Sequence, residues 1–131
     1  MPTYVRDDPA EFREIDGWSD GRGWLAHPEE DTRRASHAIR GEDGRVWLFD
    51  PLDAPGVDDL VAELGEVAGV ATFSNYHARD AGRFARRHDV PVYLPKWTTR
   101  VTSRIDAPVE RYGATLGDSG FSVRGYEPIP P

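Results

Sequence analysis

The sequence predicts an α/β fold, a mixed sheet with flanking helices. Three observations carry that expectation. Two apolar segments, 35–40 and 45–50, lie on either side of Gly41-Glu42-Asp43-Gly44 and read as a hairpin. Beyond it, short apolar runs alternate with segments of helical period: strand 45–50, helix 56–66, strand 70–73, helix 79–88, strand 90–94. Strands separated by helices lie parallel and are joined by right-handed crossovers.

With 131 residues the chain makes one domain with its own core. A mean hydropathy of -0.62 with 38% hydrophobic residues fits a soluble protein with a polar surface. No apolar run approaches the ~20 residues of a membrane span, and the polar start, 1–10, does not read as a secretory signal. Without Cys there is neither a disulfide nor a thiolate site, and a cytoplasmic location is expected. The net charge of -7 argues against affinity for nucleic-acid phosphates. Lys96 is the only lysine, and Asp outnumbers Glu. That balance resembles halophilic proteins, and an Arg-favouring genome would give the same lysine count.

Residues 1–34 form an N-terminal arm or edge strands ahead of the main α/β domain, 35–131. Trp18 and Trp24 flank Ser19-Asp20-Gly21-Arg22-Gly23, as a lid over a pocket or, preferably, as edge aromatics over a core. In the strand that follows the hairpin turn, Val46 and Leu48 face one way and Trp47 and Phe49 the other, which makes it central. It ends at Asp50-Pro51, where the Asp50 carboxylate is read first as a cap on backbone N–H groups. Val57, Leu60, Val61 and Leu64 form the stripe of helix 56–66, with Asp58 and Asp59 in its first turn. Ala81, Phe84, Ala85 and His88 form that of helix 79–88. Trp97, Val101 and Ile105 recur at a spacing of four, as in a short helix, and 109–112 and 121–126 read as a last pair of strands around Gly117-Asp118-Ser119-Gly120.

The chemistry gathers at the junction of strand 70–73 with helix 79–88, past the carboxyl end of a buried strand, where open α/β sheets bind ligands. Its residues, Phe73-Ser74-Asn75-Tyr76-His77-Ala78-Arg79-Asp80-Ala81-Gly82, resemble the metal loop of the metallo-β-lactamase superfamily, Thr-His-x-His-x-Asp-His-x-Gly. Ser74 stands for the Thr, His77 for the second His and Gly82 for the closing Gly. Asn75 replaces the first His, Arg79 the Asp, and Asp80 the last His. The resemblance covers about residues 35–126, the first half of that fold, and implies a metallo-β-lactamase-like half of an αββα sandwich. An Asp placed like Asp50 supports the metal loop in that family. In the family a Pro-Gly-His motif usually follows such a segment, and this sequence ends where that motif is expected to begin.

A hydrolytic metal site needs about three protein ligands and an open position for water. His77, Asp80 and Asn75 offer one good ligand, one carboxylate and one weak amide, while Arg79 carries a permanent positive charge. Arg79 is read as a replacement for the metal charge, paired with Asp80 or Asp50, and His77 as a hydrogen-bonded structural residue in preference to a ligand. His27, His37 and His88 lack the spacing of a metal pair. Arg79, Arg83, Arg86 and Arg87 read as a salt-bridged helix face. The leading expectation is a degenerate metal site, no cofactor and a catalytically silent binding or assembly module, leaning away from an enzyme. Its uncovered sheet face implies a homodimer or a second polypeptide. The alternative is an ester or phosphodiester hydrolase with one zinc, manganese or iron, using Asp80 and Asp50 with His77 and ligands from a partner chain. A plain α/β interaction domain is a third reading.

Overall fold

The computed structural model describes residues 11–30, 33–73 and 78–123. Among these residues seven strands form one mixed sheet whose spatial order is the chain order: β1 (Arg13–Trp18), β2 (Gly21–Leu25), β3 (Ala35–Arg40), β4 (Val46–Phe49), β5 (Val67–Ala71), β6 (Val92–Pro95) and β7 (Val109–Tyr112). The pairings from β1 to β4 are antiparallel, and those from β4 to β7 are parallel. Helix α1 (Val57–Ala62), helix α2 (Ala81–His88) and a 3-10 turn (Val101–Arg104) bridge the parallel steps. Each crossover advances by one strand in the same direction, so right-handed connections put all three on one face.

The two faces of the sheet therefore differ. On the helix side Val46 and Leu48 of β4, Val70 of β5, and Val92 and Leu94 of β6 pack with Val57 and Val61 of α1 and Phe84 of α2 in the larger core. Trp47 and Phe49 point to the opposite face, in a smaller cluster with Ala71, Tyr93, Tyr112 and Leu116. The apolar character of both sides of β4 thus reflects a central strand with a core on each side. Among the described residues no helix is long and apolar enough to cross a membrane.

The first hairpin, β1–β2, extends the same sheet. Trp24 is fully buried, and its Nε1 donates to the Leu52 carbonyl at 2.8 Å, which ties β2 to the chain after β4. Trp18 is 45% exposed and lies across Gly21, where an added Cβ would come within 2.1 Å of the indole. Trp24 is a core residue and Trp18 covers a glycine.

Several boundaries move, each for a local reason. The helix expected to reach residue 66 ends at Ala62, because Gly65 at φ 143° breaks it and Val67 already belongs to β5. The helix expected from Arg79 starts at Ala81, since Arg79 is left-handed at φ 48°. The helix expected around Trp97, Val101 and Ile105 shrinks to the 3-10 turn. Thr98 directs both its N–H (3.1 Å) and its Oγ1 (2.8 Å) to the Pro95 carbonyl, and this turn leaves Trp97 59% exposed. The expected last pair of strands also differs. β7 runs parallel beside β6, and the described part of 121–126 makes only an isolated antiparallel bridge, Thr115 to Ser122.

Beyond β7 the chain folds back across the second face. Leu116 is fully buried in the smaller cluster, and Gly117, at φ 48°, lies against Trp47. The Ser119 carbonyl accepts the Glu42 N–H at 2.7 Å, which fastens this crossing segment, 114–123, to the turn between β3 and β4. It covers Trp47, which meets Tyr93 edge to face at 5.1 Å. Part of the face expected to lie bare is covered by the chain itself.

Candidate functional site

Strands β4 to β7 are parallel, so their carboxyl ends share one edge of the sheet. Asp50 follows β4, Thr72 and Phe73 follow β5, Lys96 and Trp97 follow β6, and Gly113 and Ala114 follow β7. This is the edge at which α/β sheets bind their ligands.

The residues singled out in the sequence divide here. Asp50, left-handed at φ 47°, places its carbonyl between Ser36 Oγ and Arg79 Nη1, which both donate to it at 3.0 Å. The same Arg79 nitrogen donates to the Ala35 carbonyl at 2.8 Å. The guanidinium thus joins the start of β3 to the end of β4. Asp80 precedes α2 without capping it, and its Oδ2 accepts the Asp53 N–H at 2.7 Å. Asn75 and His77, with Ser74 and Tyr76, lie outside the described residues.

The described positions of the family's ligand set do not fit a two-metal centre. Arg79 is a cation at a ligand position, and Asp80 holds a backbone N–H. Among the described residues there is no group of three or more His, Asp or Glu placed to hold a metal ion. His37 Nε2 lies 3.4 Å from Asp16 Oδ2 on the antiparallel half of the sheet. His88 stacks on Phe84, with centroids 6.5 Å apart, and its Nε2 lies 3.5 Å from Asp58 Oδ1. His27 is buried, its Nδ1 3.7 Å from Glu29 Oε1.

The arginines of α2 are matched with carboxylates. Arg87 reaches Asp53 Oδ2 at 2.5 Å and Asp58 Oδ2 at 2.9 Å, Arg83 lies 3.6 Å from Asp53, and Arg86 lies 3.7 Å from Asp106. Burial acts to raise the Asp53 pKa, but the hydrogen bond and charge of Arg87 outweigh it and hold the carboxyl below its ordinary value. This face is a structural ion-pair network.

What the sequence did not single out is a groove of about 670 Å³ on the second face, opening at the carboxyl edge. Phe49, Phe73, Trp97, Tyr112 and Phe121 wall it. Phe49 stacks on Phe73 at 5.6 Å with ring planes 6° apart, and Phe73 meets Tyr112 edge-on at 6.4 Å. The Tyr112 hydroxyl donates to the Thr72 carbonyl at 3.1 Å. Burial, and then the Asp50 charge, push that phenol far above its ordinary pKa, so Tyr112 stays neutral and offers the groove its ring.

Lys96 stands at the rim. The turn that carries it, Pro95 to Thr98, is held from below by Arg111, whose Nη1 donates to the Pro95 carbonyl (3.1 Å), the Thr98 carbonyl (2.8 Å) and Thr98 Oγ1 (2.7 Å). The Lys96 N–H donates to the Tyr112 carbonyl at 3.0 Å. Its side chain runs over Gly113, where an added Cβ would lie 3.6 Å from Nζ. Lys96 makes no side-chain hydrogen bond or ion pair with a described residue. Alternation along β6 was the available signal: Tyr93 meets Trp47 on the second face, and Pro95, two residues on, lines the groove.

Compared with models of known protein families and with curated proteins, the chain matches none.

Proposed function

We propose that this chain is a metallo-β-lactamase-like domain with a degenerate metal site, acting as a catalytically silent binding module. The observation that carries the binding role is the aromatic-walled groove at the carboxyl edge of the parallel strands. The fold part of the reading draws support from the unequal faces of the sheet. Half of an αββα sandwich has helices on its outer face and an apolar inner face, and this sheet has both. Arg79 supports the silent part. It supplies a fixed positive charge at a ligand position of the family motif and spends it on the carbonyls of Ala35 and Asp50.

Elemental analysis of bound metals in the purified full chain and in His77→Ala tests this reading. The expected result is no stoichiometric metal, an unchanged fold in His77→Ala and no hydrolysis of ester or phosphodiester substrates that depends on His77. About one zinc, manganese or iron per chain, lost in His77→Ala, would overturn it in favour of a single-metal hydrolase drawing on His77, Asp80 and Asp50.

Assembly is the competing use of the same surface, because Phe73 and Trp97 leave apolar area exposed at the groove mouth. Sedimentation across a concentration range distinguishes a homodimer from a monomer that binds in the groove.

A further inference from the structure

We infer that the groove takes a small aromatic carboxylate, its ring against Phe49, Phe73 and Trp97 and its anionic group on Lys96. This rests on the reading of the groove as a binding surface, and adds what kind of ligand it selects.

Three features specify that chemistry. The volume, about 670 Å³, suits a small molecule of a few fused or linked rings. The walls are flat: Phe49 and Phe73 are stacked nearly parallel, Tyr112 stands edge-on to Phe73, and Trp97 presents most of its surface to solvent. Such surfaces gain most from another planar apolar body. The Tyr112 hydroxyl is already committed to the Thr72 carbonyl, so this side chain adds area and no free donor.

Charge sets the other half. The protein carries -7 overall, and the arginines of α2 sit against Asp53, Asp58 and Asp106. Lys96, the only lysine, has no such carboxylate among the described residues and lines the groove. One ammonium beside an apolar wall matches a single negative charge. A phosphate dianion would call for several charge-assisted donors, and a cationic ligand would meet repulsion. The rigid base under the Pro95–Thr98 turn, formed by Arg111 and Thr98, places the Lys96 and Trp97 backbone before any ligand arrives. Less ordering is then left for binding.

The test is calorimetric titration of the full chain with 2-naphthoate and with its neutral isostere 2-naphthamide, alongside Lys96→Gln, Lys96→Arg and Trp97→Ala. Both residues are exposed, so thermal melts are expected to stay within a few degrees of the parent. The expected result is saturable one-to-one binding with the carboxylate about fivefold tighter than the amide, the scale of an exposed ion pair. Lys96→Gln should remove that preference, Lys96→Arg should keep it, and Trp97→Ala should weaken both probes by about fivefold or more. Equal affinity for the two probes, unmoved by Lys96→Gln, overturns the carboxylate inference and leaves an apolar binding groove. No saturable binding to a monomer overturns the groove reading as well. A dimer that binds neither probe overturns the small-ligand inference in favour of assembly.

Discussion

The Asp80 carboxylate accepts the backbone N–H of Asp53 at 2.7 Å, although Asp80 stands at the N-terminus of α2 and could have capped that helix instead. The bond joins the residue that opens α2 to the loop that leads from β4 into α1. A family resemblance that makes Asp80 a ligand position, and a structure in which it ties two loops together, lead to different experiments. Asp80→Ala leaves a backbone N–H without its charged acceptor and is expected to cost about 1–3 kcal/mol in urea unfolding. Asp80→Asn, which retains an acceptor oxygen, should cost less. Unchanged unfolding in Asp80→Ala would remove this structural role, and a chelator that destabilises the parent but not Asp80→Ala would make it a ligand.

Asp53 gives the protein an acid limit. Its folded pKa lies below the ordinary 3.8, chiefly because Arg87 outweighs the effect of burial. A carboxyl whose pKa is depressed on folding contributes stability that is complete above the ordinary value and is lost as pH falls through the folded one. Unfolding free energy should therefore drop below about pH 4, and Arg87→Gln should flatten that part of the profile. An unchanged acid limb in Arg87→Gln would show that other carboxylates set it.

Tyr112 sets the alkaline counterpart with the opposite sign. Its phenol is raised on folding by burial and by the Asp50 charge, so the unfolded chain releases that proton first. Stability is complete below the ordinary value of 10.0 and falls as pH rises above it. Tyr112→Phe should lose the hydrogen bond to Thr72, at a cost of about 1 kcal/mol near neutrality, and should also lose this alkaline dependence. Denaturant melts between neutral and strongly alkaline pH read both effects.

Gly117 is held at φ 48° with Trp47 so near that an added Cβ would lie 2.7 Å from the indole. Gly117→Ala combines a left-handed non-glycine residue with overpacking, together about 2 kcal/mol or more. The expected signature is a thermal midpoint lowered by several degrees with altered near-ultraviolet dichroism from Trp47. Full stability in Gly117→Ala would mean that the segment 114–123 does not rest on Trp47.

The architecture was largely legible because its signals are local. Val46 to Phe49, apolar on both sides, marked a central strand, and β4 is fourth of seven. Gly41 to Gly44 marked the turn between β3 and β4, and the stripe Ala81, Phe84, Ala85 marked α2. The groove was not legible, because a spacing of four residues suggests a helix wherever it recurs. Trp97 was read with Val101 and Ile105 at that spacing, when it lies in the turn that follows β6 and lines the groove. No local pattern discloses that Thr98 and Arg111 clamp the turn beneath it, since those bonds join residues 13 to 16 positions apart. Of the loop residues that carried the family resemblance, Arg79 and Asp80 were recognised by position, but their partners, Ala35, Asp50 and Asp53, were 27 to 44 residues away.

Strand order equal to chain order has a consequence for synthesis. Each strand after β1, in a chain growing from its N-terminus, finds a neighbour already made. The Ser119 to Glu42 bond instead reaches back across the whole parallel half of the sheet. The helix-side core therefore assembles progressively, whereas Trp47 remains wetted until the crossing segment arrives. A nascent chain stopped after Tyr112 should fold with a red-shifted Trp47 emission, and the shift should reverse only once residues 114–123 have left the ribosome. The groove, walled in part by Phe121, is then completed only with that segment.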